Sequence, residues 1–327
     1  MDRRTFIGAM AAGMIAAPLA ASAQTATSVR RIGYLSAGVR PPQTWLDAQN
    51  AVLRSVGGWV EGQNLLVERR YANGRAELLR PFAEELVRLK VEIIVTVGTD
   101  AVLAAKNATN TIPIIIYSAG DPVRSGLVAS LARPGGNITG FSVVSPEMDA
   151  KRLALLRELL PGLQRVGVLE DSNNPYFRVA RKEFEQACRS IGIQPIFIEV
   201  AAAGELENAI AEMARRRAQA LFVGSTSLFF ANRVPLMSAA LRYALPTIAV
   251  GTEMLKAGAL ISYSSTTAEQ DQRYAAFVDR ILRGAKPGDL PIEQPTKFEL
   301  IINLKAAKAL GITVPQTLVL RADEVIQ

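Results

Sequence analysis

The chain has 327 residues, 49% of them hydrophobic, so it is long enough for one large or two ordinary domains with proper cores. Its 37 Lys and Arg residues exceed its 30 Asp and Glu residues by seven, but these charges are scattered and form no basic stripe with aromatic residues, which argues against nucleic-acid binding. The absence of histidine excludes imidazole bases and Ser-His-Asp triads, and the single cysteine, Cys188, excludes an intrachain disulfide.

The first 23 residues have the pattern of an export signal. Arg3 and Arg4 precede an apolar run, and Ala21-Ser22-Ala23 fits a small-residue cleavage site. We expect cleavage after Ala23 and a periplasmic protein, exported by the twin-arginine route, which the Arg pair resembles, or by the general secretory route. The apolar run is shorter than the roughly 20 residues that a spanning helix needs, so we expect no membrane span in the mature chain.

The segment after the signal alternates strands and helices. A first strand ends at Ser36, with Tyr34 and Ser36 at its end, and a helix is predicted over residues 44–56. A second strand, Asn64 to Tyr71, precedes a helix from Arg75 to Leu89 in which leucines recur at helical spacing. This order is typical of an α/β fold.

Residues 93–126 form a predicted strand, helix, strand unit. The runs Ile93 to Val97 and Ile112 to Tyr117 are too apolar to have a solvated face, which is typical of parallel strands covered on both sides. A polar loop follows each strand, and in open α/β sheets ligands bind beyond the carboxyl ends of strands, near helix N-termini. We therefore place the binding site at these loops, which contain Gly98, Thr99, Ser118 and Asp121.

A second series of strands and helices begins near residue 143, after a predicted short helix at 127–131 and a strand at 137–142. Its Val223-Gly224-Ser225 repeats the pattern of Val97-Gly98-Thr99. Helix 176–190 places Cys188 on an apolar face, so we expect a packed thiol. The remaining predicted strands, which would form a second parallel sheet, are 165–169, 194–200, 220–223, 247–250 and 260–263.

The last third of the chain crosses between the two units. Helix 268–283 has an apolar stripe that we expect to pack on the first unit, and strand 293–302 and helix 304–310 close the second. The sequence therefore predicts two Rossmann-like lobes with parallel sheets joined by a hinge of several strands, a geometry suited to closing around a ligand. The predicted first lobe is 29–142 plus 265–290, and the second is 143–264 plus 291–327.

Several segments resemble a family of ABC-transporter substrate-binding proteins that includes tryptophan- and tyrosine-binding periplasmic proteins. They are the export signal, Ile32-Gly-Tyr-Leu-Ser36, Ser118-Ala-Gly-Asp-Pro-Val123, Pro134-Gly-Gly-Asn-Ile-Thr-Gly-Phe141, and the tail from Asn303 to Pro315. The resemblance covers essentially the mature chain and implies a type I periplasmic-binding fold with three crossings and a ligand cleft. In relatives that bind amino acids, the loop matching Asp121 often meets the ligand ammonium, and the loops matching Ser36 and Thr99 meet its carboxylate.

Most of the candidate ligand contacts have a structural explanation as well. Asp121, Ser36, Thr99, Ser225 and Thr252 could be helix caps, and residues 171–176 could be an exposed turn rich in Asp and Asn. An aromatic wall would favour a ring-bearing or apolar ligand. The full predicted set is Tyr34, Ser36, Gly98, Thr99, Ser118, Asp121, Asp171, Asn173, Asn174, Tyr176, Ser225, Thr252, Glu253 and Tyr263.

Three classes of function fit an exported two-lobed protein. We favour a solute-binding protein that captures an amino acid, an aromatic compound or another small organic acid and delivers it to a membrane permease as a monomer. The sequence has no nucleophile-base pair, Walker loop or zinc pattern, so we expect no catalytic residue, cofactor or metal. The alternatives are an exported enzyme using Asp121 and Glu253 across the cleft, and a periplasmic sensor subunit.

Overall fold

A computed structural model of the protein describes residues 29–142 and 146–327; the predicted export signal lies outside the described residues. The described chain folds as α/β units around two sheets, the first with strand order β2-β1-β3-β4-β5 and the second with order β12-β11-β10-β9-β8-β6-β7. No helix in this part of the chain combines the length and apolarity needed to cross a membrane.

The first sheet consists of β1 (Arg30–Ser36), β2 (Leu65–Tyr71), β3 (Ile93–Val97), β4 (Ile114–Ser118) and β5 (Ile138–Gly140), and its helices are α1 (Gln43–Gly57), α2 (Leu79–Arg88) and α3 (Thr99–Ala108). All neighbouring strands pair in parallel, as predicted for β3 and β4. Alternate residues of β3 pack on opposite faces, so Ile93 contacts the core under α1 while Ile94 contacts the core under α2 and α3. Both faces are thus covered, which explains why the strand has no polar side.

The second sheet is built from segments that follow residue 146. Its strands are β6 (Arg165–Asp171), β7 (Gln194–Val200), β8 (Ala220–Val223), β9 (Thr247–Ala249), β10 (Ile261–Ser265), β11 (Phe298–Asn303) and β12 (Glu324–Ile326). The helices are α4 (Pro146–Leu159), α5 (Pro175–Ser190), α6 (Leu206–Arg215), α7 (Ser227–Ala231), α8 (Arg233–Arg242), α9 (Thr252–Lys256), α10 (Thr267–Leu282), α11 (Leu304–Ala309) and α12 (Gln316–Val319). Cys188 is fully buried between α4, α5 and this sheet, which confirms the prediction of a packed thiol.

Helix α10 leaves the second sheet and packs on the first. Its Tyr274, Phe277 and Val278 lie in one core cluster with Ile32 of β1 and Ile93 of β3. The chain therefore passes between the lobes after β5, before α10 and before β11, which gives three crossings.

The crossings are hydrogen-bonded to one another. Backbone bonds of 2.9 Å join Ser142 N–H to the Glu293 carbonyl and Glu293 N–H to the Gly140 carbonyl, so the first and third crossings form a short bridge. The Glu269 carboxylate, in the first turn of α10, accepts N–H groups of Thr296 and Lys297 and thereby joins the second crossing to the third. These bonds join the three crossings to one another.

Three predicted elements differ from the structure. Residues 127–131 form no helix: Leu127 N–H bonds back to the Pro122 carbonyl at 2.8 Å, and Gly126 has a φ of +69°, so the chain turns instead. The predicted strand from residue 293 begins only at Phe298, because Glu293 pairs with Phe141 and Pro295 has no N–H to donate. The second sheet is also mixed, since β11 pairs antiparallel to β10.

Candidate functional site: a cleft between two lobes

The carboxyl edge of the first sheet carries the predicted loops after β1, β3 and β4. These loops are joined by hydrogen bonds, because the Gly98 N–H donates to the Ser118 carbonyl at 2.8 Å and the Gly120 N–H donates to Thr99 Oγ1 at 3.0 Å. Ser36 and Thr99 are both buried, and Ser36 Oγ accepts the Gly38 N–H at 3.1 Å. The loops therefore form one continuous surface at the strand ends.

Asp121 organises the loop after β4. Its Oδ1 accepts the N–H groups of Val123 and Arg124, both at 3.0 Å, within a turn; the described residues between β4 and β5 contain no helix, so the interpretation of Asp121 as a helix cap is wrong. Its Oδ2 lies 3.3 Å from Arg124 Nε, and Arg124 in turn forms an ion pair with Glu183 of α5, on the other lobe. Asp121 thus orients a cation that reaches across the cleft, and a direct contact of Asp121 with a ligand stays a prediction.

The carboxyl edge of the second sheet faces these loops with a turn at residues 171–176. Asp171 ends β6 and is 3% exposed, and its carboxylate accepts the N–H of Asn173 and the hydroxyl of Thr226. Asn174 caps α5 by accepting the Tyr176 N–H at 3.0 Å. Desolvation raises the pKa of Asp171 above its ordinary value, and these hydrogen bonds limit the rise.

Tyr176 is held from behind by a buried ion pair. Its hydroxyl donates to Asp149 Oδ2 at 3.1 Å, and Asp149 Oδ1 lies 2.7 Å from a guanidinium nitrogen of Arg152. Arg152 is 2% exposed, and its Nε donates to the Tyr263 carbonyl at 2.8 Å, close to the second crossing. The ring of Tyr176 is therefore fixed in position by residues at the hinge.

The two edges touch. A Cβ built on Gly120 would lie 2.7 Å from Cγ of Tyr176, and one built on Gly98 would lie 2.9 Å from Ser227 Oγ. A Cβ on Gly74, which follows β2, would lie 3.4 Å from Ala231 Cβ in α7. Glycines of the first lobe thus allow the backbone to approach the second lobe closely.

An aromatic cluster lies under the first-lobe edge. Tyr34 and Tyr71 are 6.1 Å apart between ring centroids, and Tyr117 lies 5.9 Å from Trp45 at the start of α1. The Tyr117 hydroxyl donates to Asp271 of α10 at 3.0 Å. Burial raises the pKa of Tyr34 and Tyr117, so both phenols stay protonated.

The remaining predicted contacts are spread along the same two edges. Ser225 is exposed after β8, and Thr252 begins α9 after β9. Glu253 forms ion pairs with Lys256 and Arg233 of its own lobe. Tyr263 lies within β10 at the hinge and stacks on Phe298 with 5.6 Å between ring centroids, while Tyr34 is a core residue two positions inside β1.

Sequence reasoning missed three residues at the contact between the edges. Asp100 stands in the first turn of α3, next to Gly98 and Thr99, and Thr226 and Ser227 begin α7. Burial, with a smaller contribution from Asp171, raises the pKa of Asp100 to about 7. The sequence shows that these residues follow strands, but it does not show that the two lobes come into contact at these positions.

Two α/β lobes with three crossings, and polar loops of both lobes meeting at the strand ends, define the class of type I periplasmic-binding folds. Residues 53–326 match the family model described as ABC transporter substrate binding protein. The chain belongs to this family.

Known relatives agree with this assignment. A tyrosine-binding protein from Clostridioides difficile (strain R20291) is 26% identical over 255 residues, which are 78% of this chain and 73% of that protein. The structure of an ABC domain in complex with L-Trp from Streptococcus pneumonia has 24% sequence identity and a TM-score of 0.83, and covers 91% of this chain and 100% of that chain. The ligand-free, open structure of a substrate binding protein with adhesive properties from Clostridium difficile has 23% identity, a TM-score of 0.63 and the same coverages of 91% and 100%.

Proposed function

We propose that the protein captures a small molecule in the cleft between its lobes and delivers it to the permease of an ABC importer. The observation that carries this proposal is the meeting of two polar loop edges, which would enclose a ligand between them. The ion pair between Arg124 and Glu183 and the close approach of Gly120 to Tyr176 both join the lobes. Contacts from two lobes stabilise a closed form, and a ligand that touches both lobes favours that form further.

The moving units in this proposal are the lobes 29–142 plus 265–290 and 143–264 plus 291–327. The short bridge at Gly140, Ser142 and Glu293 would act as the hinge between them. The difference between the two TM-scores supports a closed arrangement, because 0.83 for the L-Trp complex exceeds 0.63 for the ligand-free, open structure at nearly equal sequence identity.

The ligand we propose is an amino acid, an aromatic compound or another small organic acid. The hydroxyl oxygens of Ser36 and Thr99 each accept a backbone N–H, which leaves the hydroxyl proton free to donate to a ligand carboxylate. Trp45 beside Tyr117 and Tyr71 beside Tyr34 are both partly exposed and offer apolar surface for a ring. Relatives named for tyrosine and solved with L-Trp support this range.

In the cell, we propose a monomer that is exported, cleaved after Ala23 and located in the periplasm. Replacing Arg3 and Arg4 by Lys should leave the precursor inside the cell if export uses the twin-arginine route. Unchanged export of that variant would assign the general secretory route.

We propose binding without turnover. The two carboxylates of the enzyme alternative have other partners: Asp121 accepts N–H groups of its own turn and pairs with Arg124, and Glu253 pairs with Lys256 and Arg233. A sensor role would use the same cleft and the same closure, but would require a receptor partner in place of a permease.

The proposal can be tested with a metabolite screen. Thermal-shift hits from a library of amino acids, amines, aromatic acids and sugars would be confirmed by isothermal titration, and X-ray scattering would be recorded with and without the hit. We expect one chemical class to bind, the particle to become more compact, and the compound to be recovered unchanged. Identical scattering at saturation would contradict closure, and appearance of a product would favour the enzyme.

A further inference from the structure

A small apolar cluster lies at the first crossing and belongs to neither lobe's core. It consists of Phe141, which follows β5, and of Tyr176 and Ala180 in α5 of the second lobe. Among the described residues, the four larger clusters that form the cores of the two lobes contain none of these three side chains. This group, the hinge cluster, is therefore a separate core that forms where the lobes meet.

Phe141 is fixed to the first lobe by its backbone and covered by the second lobe at its side chain. Its N–H donates to the Ile116 carbonyl of β4 at 2.8 Å, so its backbone continues the first sheet. The residue is only 1% exposed, and the apolar side chains that join it in the hinge cluster come from α5. Rotation of the second lobe away from the first would therefore expose the Phe141 ring to water.

One face of α5 is directed at the first lobe. Tyr176, Ala180 and Glu183 are four and three positions apart, so they lie above one another on the helix. Tyr176 and Ala180 lie in the hinge cluster with Phe141, and Glu183 pairs with Arg124 of the loop after β4. This face thus combines an apolar contact near the first crossing with a charged contact farther along the helix.

The part of the hinge cluster that belongs to the second lobe is held in place by hydrogen bonds. The Tyr176 hydroxyl donates to Asp149 at 3.1 Å, and Asp149 pairs with the buried Arg152. Arg152 also donates to the Tyr263 carbonyl of β10 at 2.8 Å. Because the Tyr176 ring is oriented by its own lobe, closure orders few further side chains, and most of the free energy gained by burying Phe141 is retained.

We propose that the hinge cluster closes the lobes without help from a ligand, so that open and closed molecules coexist before any solute binds. This inference goes beyond the proposed function, and it rests on that function only in taking the two lobes as the moving units. Full burial of a Phe side chain favours the closed form by a factor of about 10 to 150. A ligand that touches both lobes then increases a closed population that already exists.

The test measures the distance between the lobes with no ligand added. Spin labels would be attached at Arg80→Cys in α2 and at Ala203→Cys after β7, which are both exposed positions. They follow β2 and β7, the edge strands that lie away from the crossings in their sheets, so closure should shorten the distance between the labels. Cys188→Ala removes the native thiol, and unfolding, dialysis and refolding remove bound solutes. Pulsed electron–electron resonance would then give the distances.

The variants change the hinge cluster from each lobe in turn. Phe141→Ala removes the ring, and Phe141→Leu keeps an apolar side chain. Ala180→Glu places a charge against Phe141 from the second lobe, and this charge is solvated when the lobes are open. Phe197→Ala is the matched control, because its ring packs on Phe184 within the second lobe, with 6.0 Å between the ring centroids.

We expect the shorter, closed distance to be present in the parent. Phe141→Ala and Ala180→Glu should each lower the ratio of closed to open molecules by about tenfold or more, while Phe141→Leu keeps most of that ratio. Phe197→Ala should lower the melting temperature and leave the distances unchanged. The closed population of the parent should persist at a salt concentration of about 1 M, because salt screens the ion pair of Arg124 and Glu183 but does not weaken an apolar contact.

Failure of this inference can be told apart from failure of the proposed function. Absence of the closed distance in the parent would overturn the inference, as would distances in Phe141→Ala and Ala180→Glu that equal those of the parent. Both results leave the binding function standing, because the experiment contains no ligand. A metabolite screen without a hit would instead contradict the binding function, and the ratio of closed to open molecules would still be measurable.

Discussion

Gly120→Ala should block closure of the cleft without harming either lobe. The added Cβ would lie 2.7 Å from both Cγ and Cδ2 of the Tyr176 ring and 3.0 Å from its Cβ, whereas carbon atoms prefer separations of about 3.5–4.0 Å. Gly120 does not have a left-handed φ, so alanine fits its backbone without strain. The clash therefore exists only where the two lobes meet.

The ring cannot easily move away. Tyr176 is 5% exposed, and its hydroxyl is bound to Asp149, which is paired with Arg152. Overpacking of this kind costs about 1–3 kcal/mol. Because opening the lobes relieves the clash, this cost applies to the closed form alone and should weaken ligand binding by about 5- to 150-fold.

The assay is isothermal titration of a ligand found in the screen, with X-ray scattering at saturation. Gly162→Ala is the matched control, since its Cβ would meet no atom within 4 Å. Replacing Tyr176 by Leu in the Gly120→Ala background removes the ring and should recover part of the lost affinity. Parental affinity and compaction in Gly120→Ala would refute the reasoning, because the lobes would then not close through this contact.

Three further predictions concern buried and cross-lobe charges. Arg152→Met should lower the free energy of unfolding in urea by about 3–5 kcal/mol, because it leaves the Asp149 carboxylate buried and unpaired, and adding Asp149→Asn should restore most of it. Burial raises the pKa of Asp149, so lowering the pH, which protonates this carboxyl, favours the folded state. The loss of unfolding free energy in Arg152→Met should therefore become smaller as the pH falls from about 7 towards 5, and larger as the pH rises. Arg124→Gln removes the partly exposed ion pair with Glu183 and should weaken ligand binding by no more than about fivefold. High salt should abolish this difference in affinity, because salt screens exposed charges. A larger loss of affinity that does not depend on salt would contradict the assignment of a surface ion pair. Burial raises the pKa of the Cys188 thiol to about 12, so it should stay unreactive towards a disulfide reagent at pH 8 until the protein is unfolded in urea, and rapid native labelling would show that the thiol is accessible.

The sequence alone determined the elements of the fold and the edge at which the site would lie. The runs Ile93 to Val97 and Ile112 to Tyr117 predicted buried parallel strands, and the structure pairs them as β3 and β4. Their loops predicted a polar edge because parallel strands all end on the same side. These inferences succeed because hydrophobic periodicity and strand direction are local properties, encoded within 5–15 residues.

Only the tertiary structure decided which polar groups meet. Thr99 was predicted at the edge, but its bond to Gly120 depends on how the loops after β3 and β4 pack within the first lobe, and the contact of Gly120 with Tyr176 depends on how the two lobes are placed. The antiparallel pairing of β11 with β10 likewise follows from the third crossing, which begins at Glu293. A contact between residues far apart in the chain leaves no periodic signal in either segment, because each segment's pattern reports its burial and does not report the partner that buries it.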